Sequence, residues 1–192
     1  MNKTSLLKEF IPYGKQDITN EDIENVVKVL NSEFITQGPI VNKFEEAISS
    51  KVNSKFAISS NSATSSLHLG CLALGLKKGD YLWTSPITFV ASANCARYCG
   101  ANVDFVDIDP KTGLMDIGYL EQKLIYAKKL GKLPKILIPV HLAGSSCDMR
   151  SIAKLSKEYG FSIIEDASHA IGGKYYGKPV GNCSYSSLVV FS

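Results

Sequence analysis

Basic runs, paired cysteines, membrane-length apolar stretches and a glycine-rich dinucleotide turn are all missing from this 192-residue sequence, and each absence removes a class of function. The net charge is only +3, and no stripe of Lys and Arg is present, so nucleic acid is not an expected partner. The densest basic patch, Lys128, Lys129, Lys132 and Lys135, reads as a solvated helix end and loop. The five cysteines (Cys71, Cys95, Cys99, Cys147, Cys183) form no Cys-x-x-Cys pair and no metal-ligand spacing. Cys95 and Cys99 can share one helix face, where small buried hydrophobes are expected rather than ligands. No apolar run has the length a bilayer demands, and none of signal-peptide type follows Met1-Asn2-Lys3-Thr4-Ser5. No membrane partner is therefore expected, and the expected compartment is the cytoplasm. A Rossmann-type nucleotide site needs Gly-x-Gly-x-x-Gly after its first strand, and Gly172-Gly173, the one close pair, comes too late.

What is present is ordinary for a globular domain: 45% hydrophobic and 20% charged residues. Two amphipathic helices are expected first, within about residues 20–52. Thr19-Asn20-Glu21-Asp22 is a capping signal ahead of Ile23, Val26, Val27 and Leu30, and a second stripe runs through Val41, Phe44, Ile48 and Val52. Short strands then alternate with helices. Strands are expected at 55–59, 81–85, 103–108, 135–140, 162–166 and 186–191, and helices at 62–76 (largely buried), 89–99, 119–130 and 149–159. This repetition predicts an α/β fold with a mostly parallel sheet covered on both faces. No internal repeat, low-complexity tract or linker interrupts it.

Three segments fall where such a fold binds ligands, at the carboxyl ends of strands. Asn61-Ser62-Ala63-Thr64-Ser65-Ser66 opens a helix with small hydroxylated residues. It is either an anion cradle or an N-cap with surplus hydroxyls. Phe89, in Pro86-Ile87-Thr88-Phe89, is either core or a plate for a flat ring. Asp166 closes the strand Ile163-Ile164-Glu165-Asp166 and is either a cap or a buried acid, and His169 taken alone reads as structural. Together, a phosphate cradle, an aromatic plate and an acid for a ring nitrogen are the fittings of pyridoxal 5'-phosphate.

On these residues the chain resembles the DegT/DnrJ/EryC1/StrS family of sugar aminotransferases. The likeness is carried by Thr36-Gln37-Gly38, Asn61-Ser62-Ala63-Thr64-Ser65-Ser66-Leu67, the run from Thr84-Ser85-Pro86 through Ser92-Ala93-Asn94, and Glu165-Asp166-Ala167-Ser168-His169-Ala170. Gly177-Lys178-Pro179-Val180-Gly181 and Val190-Phe191-Ser192 also fit. Within the family it is most similar to transaminases that aminate UDP-4-keto-6-deoxy-N-acetylhexosamines on the way to pseudaminic acid. The resemblance implies the large domain of a fold-type I transferase, with residues 1–192 its amino-terminal part and the small carboxyl-terminal domain absent. It implies that Ala63, Thr64 and Ser192 hold the cofactor phosphate and that Phe89 stacks on the pyridine ring. Asp166 would pair with the ring nitrogen, and His169 would lie near the ring's 3-hydroxyl oxygen. Tyr13 and Gln37 match segments near the nucleotide-sugar site.

The same resemblance implies transfer of an amino group, with glutamate the donor, to carbon 4 of a nucleotide-linked keto sugar in surface glycan biosynthesis, by a two-fold dimer. The Schiff-base lysine of the family follows the Phe-Ser pair in a Phe-His-x-x-Lys run, past Ser192, so the chain alone is expected to be catalytically incomplete. Lys174 and Lys178 flank a turn and read as surface residues. A sheet cut at this point is expected to expose an apolar edge and to dissolve poorly. A dehydratase of the same family, with His at the lysine position, and a non-catalytic cofactor-binding or interaction remnant are the alternative readings.

Overall fold

The computed structural model describes Pro12 and residues 15–192. They divide into two compact units, Met1–Asn42 and Lys43–Ser192. In the first unit α1 (Asn20–Leu30) starts in the capping box its sequence promised. The Thr19 side chain accepts from the Asp22 backbone, and the Asp22 carboxylate accepts from the Thr19 backbone at 2.8 Å. It buries none of its residues. A second helix, α2 (Pro39–Val52), begins in this unit and continues into the next.

The second unit holds α3 (Ala63–Ala73), β1 (Tyr81–Thr84), α4 (Ala91–Tyr98), β2 (Asn102–Phe105), α5 (Ile117–Leu130), β3 (Ile136–Ile138), α6 (Met149–Tyr159) and β4 (Ser162–Asp166). A small hairpin, β5 (Lys174–Tyr175) and β6 (Lys178–Pro179), precedes β7 (Leu188–Val190). Five strands form one parallel sheet in the order β2-β1-β3-β4-β7. Side chains alternate across it. Leu82, Ile136, Ile138, Ile164 and Val190 pack on α3 and α4, whereas Trp83, Leu137 and Ile163 pack on α5 and α6. Burial on both faces explains why these strands read as continuous apolar runs.

The chain leaves β1 toward β2 through α4 on one face, then crosses to β3 through α5 on the other. That reversal opens a crevice beyond the carboxyl ends of β1 and β3, the usual ligand position in an open α/β sheet. Helix α3 runs against the strands. Its carboxyl end is tied to the opposite edge, where the Lys135 ammonium, just ahead of β3, donates to Gly75 O and lies 3.1 Å from Asp80 Oδ2. Its amino terminus therefore faces the crevice edge.

The structure corrects several expectations. Residues 55–59 are not a strand, because no strand of the described residues pairs with them. Phe56 and Ile58 are exposed, and Ser59 instead donates its N–H and hydroxyl to the Glu45 carboxylate. Helix α3 stops before Gly75, whose φ of +71° breaks the helix, and its Leu69 and Leu72 are exposed rather than buried. The predicted helix start at Phe89 moves to Ala91, and the strand expected at 103–108 ends at Phe105, followed by an isolated bridge from Ile108 to Met115. Lys135 is not a solvated ornament but the clasp just described.

Candidate cofactor site

Because all five strands are parallel, the segments after β1, β3, β4 and β7 emerge on one rim. They carry Ser85 to Phe89, His141, Asp166 to His169, and Ser192. Asp166 is 5% exposed and has no ion-pair partner among the described residues. Its Oδ2 accepts from the Ser92 hydroxyl of α4 at 2.6 Å, and its Oδ1 accepts from the Ser168 hydroxyl at 2.7 Å and the Ser168 N–H at 3.2 Å. A buried carboxylate held by neutral donors, with no cation beside it among the described residues, fits a ligand that brings a positive ring nitrogen.

At the start of α3, Ser62 is the N-cap, accepting from Ser65 N at 3.2 Å, and its carbonyl accepts from Ser66 N at 3.0 Å. The N–H groups of Ala63 and Thr64 are the first-turn donors left over, and the helix dipole favours an anion there. Phe89 is 73% exposed, which removes the core reading of this residue and leaves its ring available for stacking. His169 and Ser192 are exposed on the same rim. Lys174 and Lys178 are exposed on the hairpin, as expected. Gln37 lies in the first unit, exposed and in a left-handed conformation with φ +54°. Tyr13 lies outside the described residues.

Beneath Asp166, on the other face of the sheet, sits a pair that sequence reasoning did not find. His141 and Glu165 are 1% and 5% exposed, with His141 Nε2 2.7 Å from Glu165 Oε2. Cys147 N–H donates to His141 Nδ1 at 3.2 Å, so that nitrogen carries a lone pair and the ring proton sits on Nε2, donating to Glu165. The second oxygen of Glu165 accepts from Ser186 Oγ at 2.5 Å. The His141 backbone N–H in turn bonds Asp166 O at 2.9 Å, which ties the pair to the rim. The period-2 alternation of β4 was the available signal, since it sends Glu165 and Asp166 to opposite faces. Burial and the carboxylate beside it push the Cys147 thiol up to about 12, although hydrogen bonds from the Met115 and Cys147 backbones oppose this.

The family model of the DegT/DnrJ/EryC1/StrS aminotransferases matches residues 16–192. The chain is a member of that family. A UDP-4-amino-4,6-dideoxy-N-acetyl-beta-L-altrosamine transaminase of Campylobacter jejuni is 42% identical over 182 residues, covering 95% of this chain and 46% of that protein. Among solved structures, PseC of Helicobacter pylori, an aminotransferase involved in the biosynthesis of pseudoaminic acid, superposes with a TM-score of 0.84 at 34% identity. The match covers 94% of this chain and 47% of that one. The PLP-form of Spr1654 from Streptococcus pneumoniae gives a TM-score of 0.83 at 31% identity, over 95% of this chain and 48% of its own. The chain thus spans about half the length of the relatives it matches. Pyridoxal phosphate is the cofactor of the family, and the fold is that of its PLP-dependent members. Among the described residues no helix is long and apolar enough to cross a membrane.

Proposed function

We propose that the protein to which this chain belongs transfers an amino group, with glutamate as donor, to carbon 4 of a nucleotide-linked 4-keto-6-deoxy sugar for surface glycan synthesis. The observation that carries the reading is Asp166, a buried carboxylate held by the Ser92 and Ser168 hydroxyls, on the same sheet rim as Phe89 and the α3 amino terminus. The names of the Campylobacter and Helicobacter relatives support the sugar class.

Pyridoxal phosphate, when bound, supplies an electron sink for moving a proton next to nitrogen. The chain's own residues are assigned the following work. Asp166 accepts the ring N–H and keeps that nitrogen protonated, with Ser92 and Ser168 fixing its two oxygens. The N–H groups of Ala63 and Thr64, joined by the Ser192 hydroxyl, hold the phosphate. Phe89 covers one ring face and excludes water there, and His169 stands near the 3-oxygen. Gln37 and Tyr13 are assigned to the sugar nucleotide. Residues 1–192 are read as the first part of the cofactor-binding domain of a cytoplasmic, two-fold dimeric enzyme.

The test starts with pyridoxamine 5'-phosphate binding by the protein at its native length. Truncating one partner of a buried charge pair costs about 2 kcal/mol or more, so Asp166→Asn is expected to weaken binding about 30-fold or more. Formation of 2-oxoglutarate from glutamate with a UDP-4-keto-6-deoxy sugar is the activity readout. Tight binding that ignores Asp166→Asn, or no amine transfer to any nucleotide-linked keto sugar, would overturn the proposal.

A further inference from the structure

We infer that Ser92 is a positioning residue for the cofactor acid, the middle of a hydroxyl chain running from Thr88 through Ser92 to Asp166; the inference rests on the cofactor reading above. Ser92 is fully buried on α4, 74 positions before Asp166 in the chain, and its Oγ lies 2.6 Å from Asp166 Oδ2. The same oxygen is 3.0 Å from Thr88 Oγ1 and 3.4 Å from Phe89 O. A serine has one O–H to give. The short contact to an ionised acceptor takes that proton, because charge-assisted bonds are the stronger ones. Thr88 must therefore donate to Ser92, and the Phe89 carbonyl receives only the Ser92 backbone N–H, at 3.3 Å.

The direction of this chain has a chemical consequence. Both hydroxyls point their protons toward the carboxylate, so each polarises the next and stabilises the negative charge on Oδ2. Ser168 does the same for Oδ1, but from the loop that follows Asp166 itself. Among the described residues Ser92 alone reaches the acid from a separate helix, so it fixes where the carboxylate stands relative to the ring that Phe89 would cover. Thr88, Phe89 and Ser92 belong to one turn and the helix it opens, which couples the plate to the acid through a single buried hydroxyl.

A double-mutant cycle separates this role from ordinary packing. The probe is pyridoxamine 5'-phosphate, whose affinity is measured by fluorescence titration of the full-length protein, with thermal melting of the ligand-free protein alongside. Losing one charge-assisted bond to the acid is expected to weaken binding by Ser92→Ala about tenfold. In an Asp166→Asn background the same change is expected to alter affinity less than about twofold, because an amide no longer rewards the donor with charge. Thr88→Ala, at a half-buried position that Asp166 does not touch, is expected to show a smaller loss that also vanishes in Asp166→Asn; it carries the cycle if Ser92→Ala does not fold. Losses that add in both backgrounds, or that track melting temperature alone, would overturn the positioning role. A parent protein that does not bind the probe at all would instead sink the cofactor reading and this inference with it.

Discussion

Glu165→Ala tests the buried pair beneath the rim. Truncation leaves two donors without an acceptor, His141 Nε2–H at 1% exposure and the half-buried Ser186 hydroxyl. An unsatisfied buried donor costs about 1–3 kcal/mol, while a half-buried hydroxyl can turn to water and costs about 0.5–1 kcal/mol. The imidazole cannot rescue itself by changing tautomer, because its other nitrogen faces the Cys147 N–H. Removing a buried charge returns part of the loss. A net destabilisation of about 1–3 kcal/mol is expected. Glu165→Gln keeps the shape and can offer its oxygen to His141 and its amide to a rotated Ser186, so about 1 kcal/mol is expected, the difference between a charged and a neutral acceptor. Urea denaturation of both variants, at an unchanged m value, measures these numbers. A Glu165→Ala loss under about 0.5 kcal/mol, or Glu165→Gln costing more than Glu165→Ala, would refute the reasoning from paired donors.

Two further outcomes follow from named contacts. Asp148 caps α6 through Ser151 N and also accepts from Tyr175 Oη at 2.7 Å; burial works against its charge, but these hydrogen bonds hold its carboxyl below the ordinary value. The folded state therefore keeps Asp148 ionised where the unfolded chain already binds a proton. Its contribution is present above about pH 4 and is lost as pH falls through the folded value. Asp148→Ala should cost about 1 kcal/mol at pH 6, and the gap from the parent should close by acid titration in urea melts toward pH 3; a gap that widens would contradict the sign. Gly181→Ala puts a Cβ 2.7 Å from Phe191 Cζ and 2.8 Å from Val52 Cβ at a backbone φ of +105°. Strain and overpacking together cost about 2–4 kcal/mol, so thermal melting should fall by roughly 5–10 °C, and an unchanged melting temperature would show that the turn relaxes freely.

The α6 and β4 bounds could be read from sequence to the residue, because local signals coincide there: Asp148 caps, Gly160 stops the helix at φ +78°, and the following run is apolar. Residues 55–59 carry a similar apolar run, Phe56-Ala57-Ile58, and yet form no strand. Such a run offers side chains for burial, but a strand exists only where another backbone supplies its hydrogen bonds. The hairpin of β5 and β6 was legible only as a turn, since two residues on each side carry no period.

The alternation of strands and helices, the placement of Asp166 at a strand end, the hydroxyl-rich opening of α3 and the family these runs belong to are all legible along the chain. Those properties are local: period, capping and motif spacing are written in neighbouring residues. That Ser92 holds Asp166, that His141 and Glu165 close a buried network with Ser186, and that Lys135 clasps the far end of α3 are visible in the folded arrangement and not in the chain. Each of these joins residues 21 to 74 positions apart. No spacing rule links such residues; the order of strands in the sheet does, by choosing which ends and which faces meet.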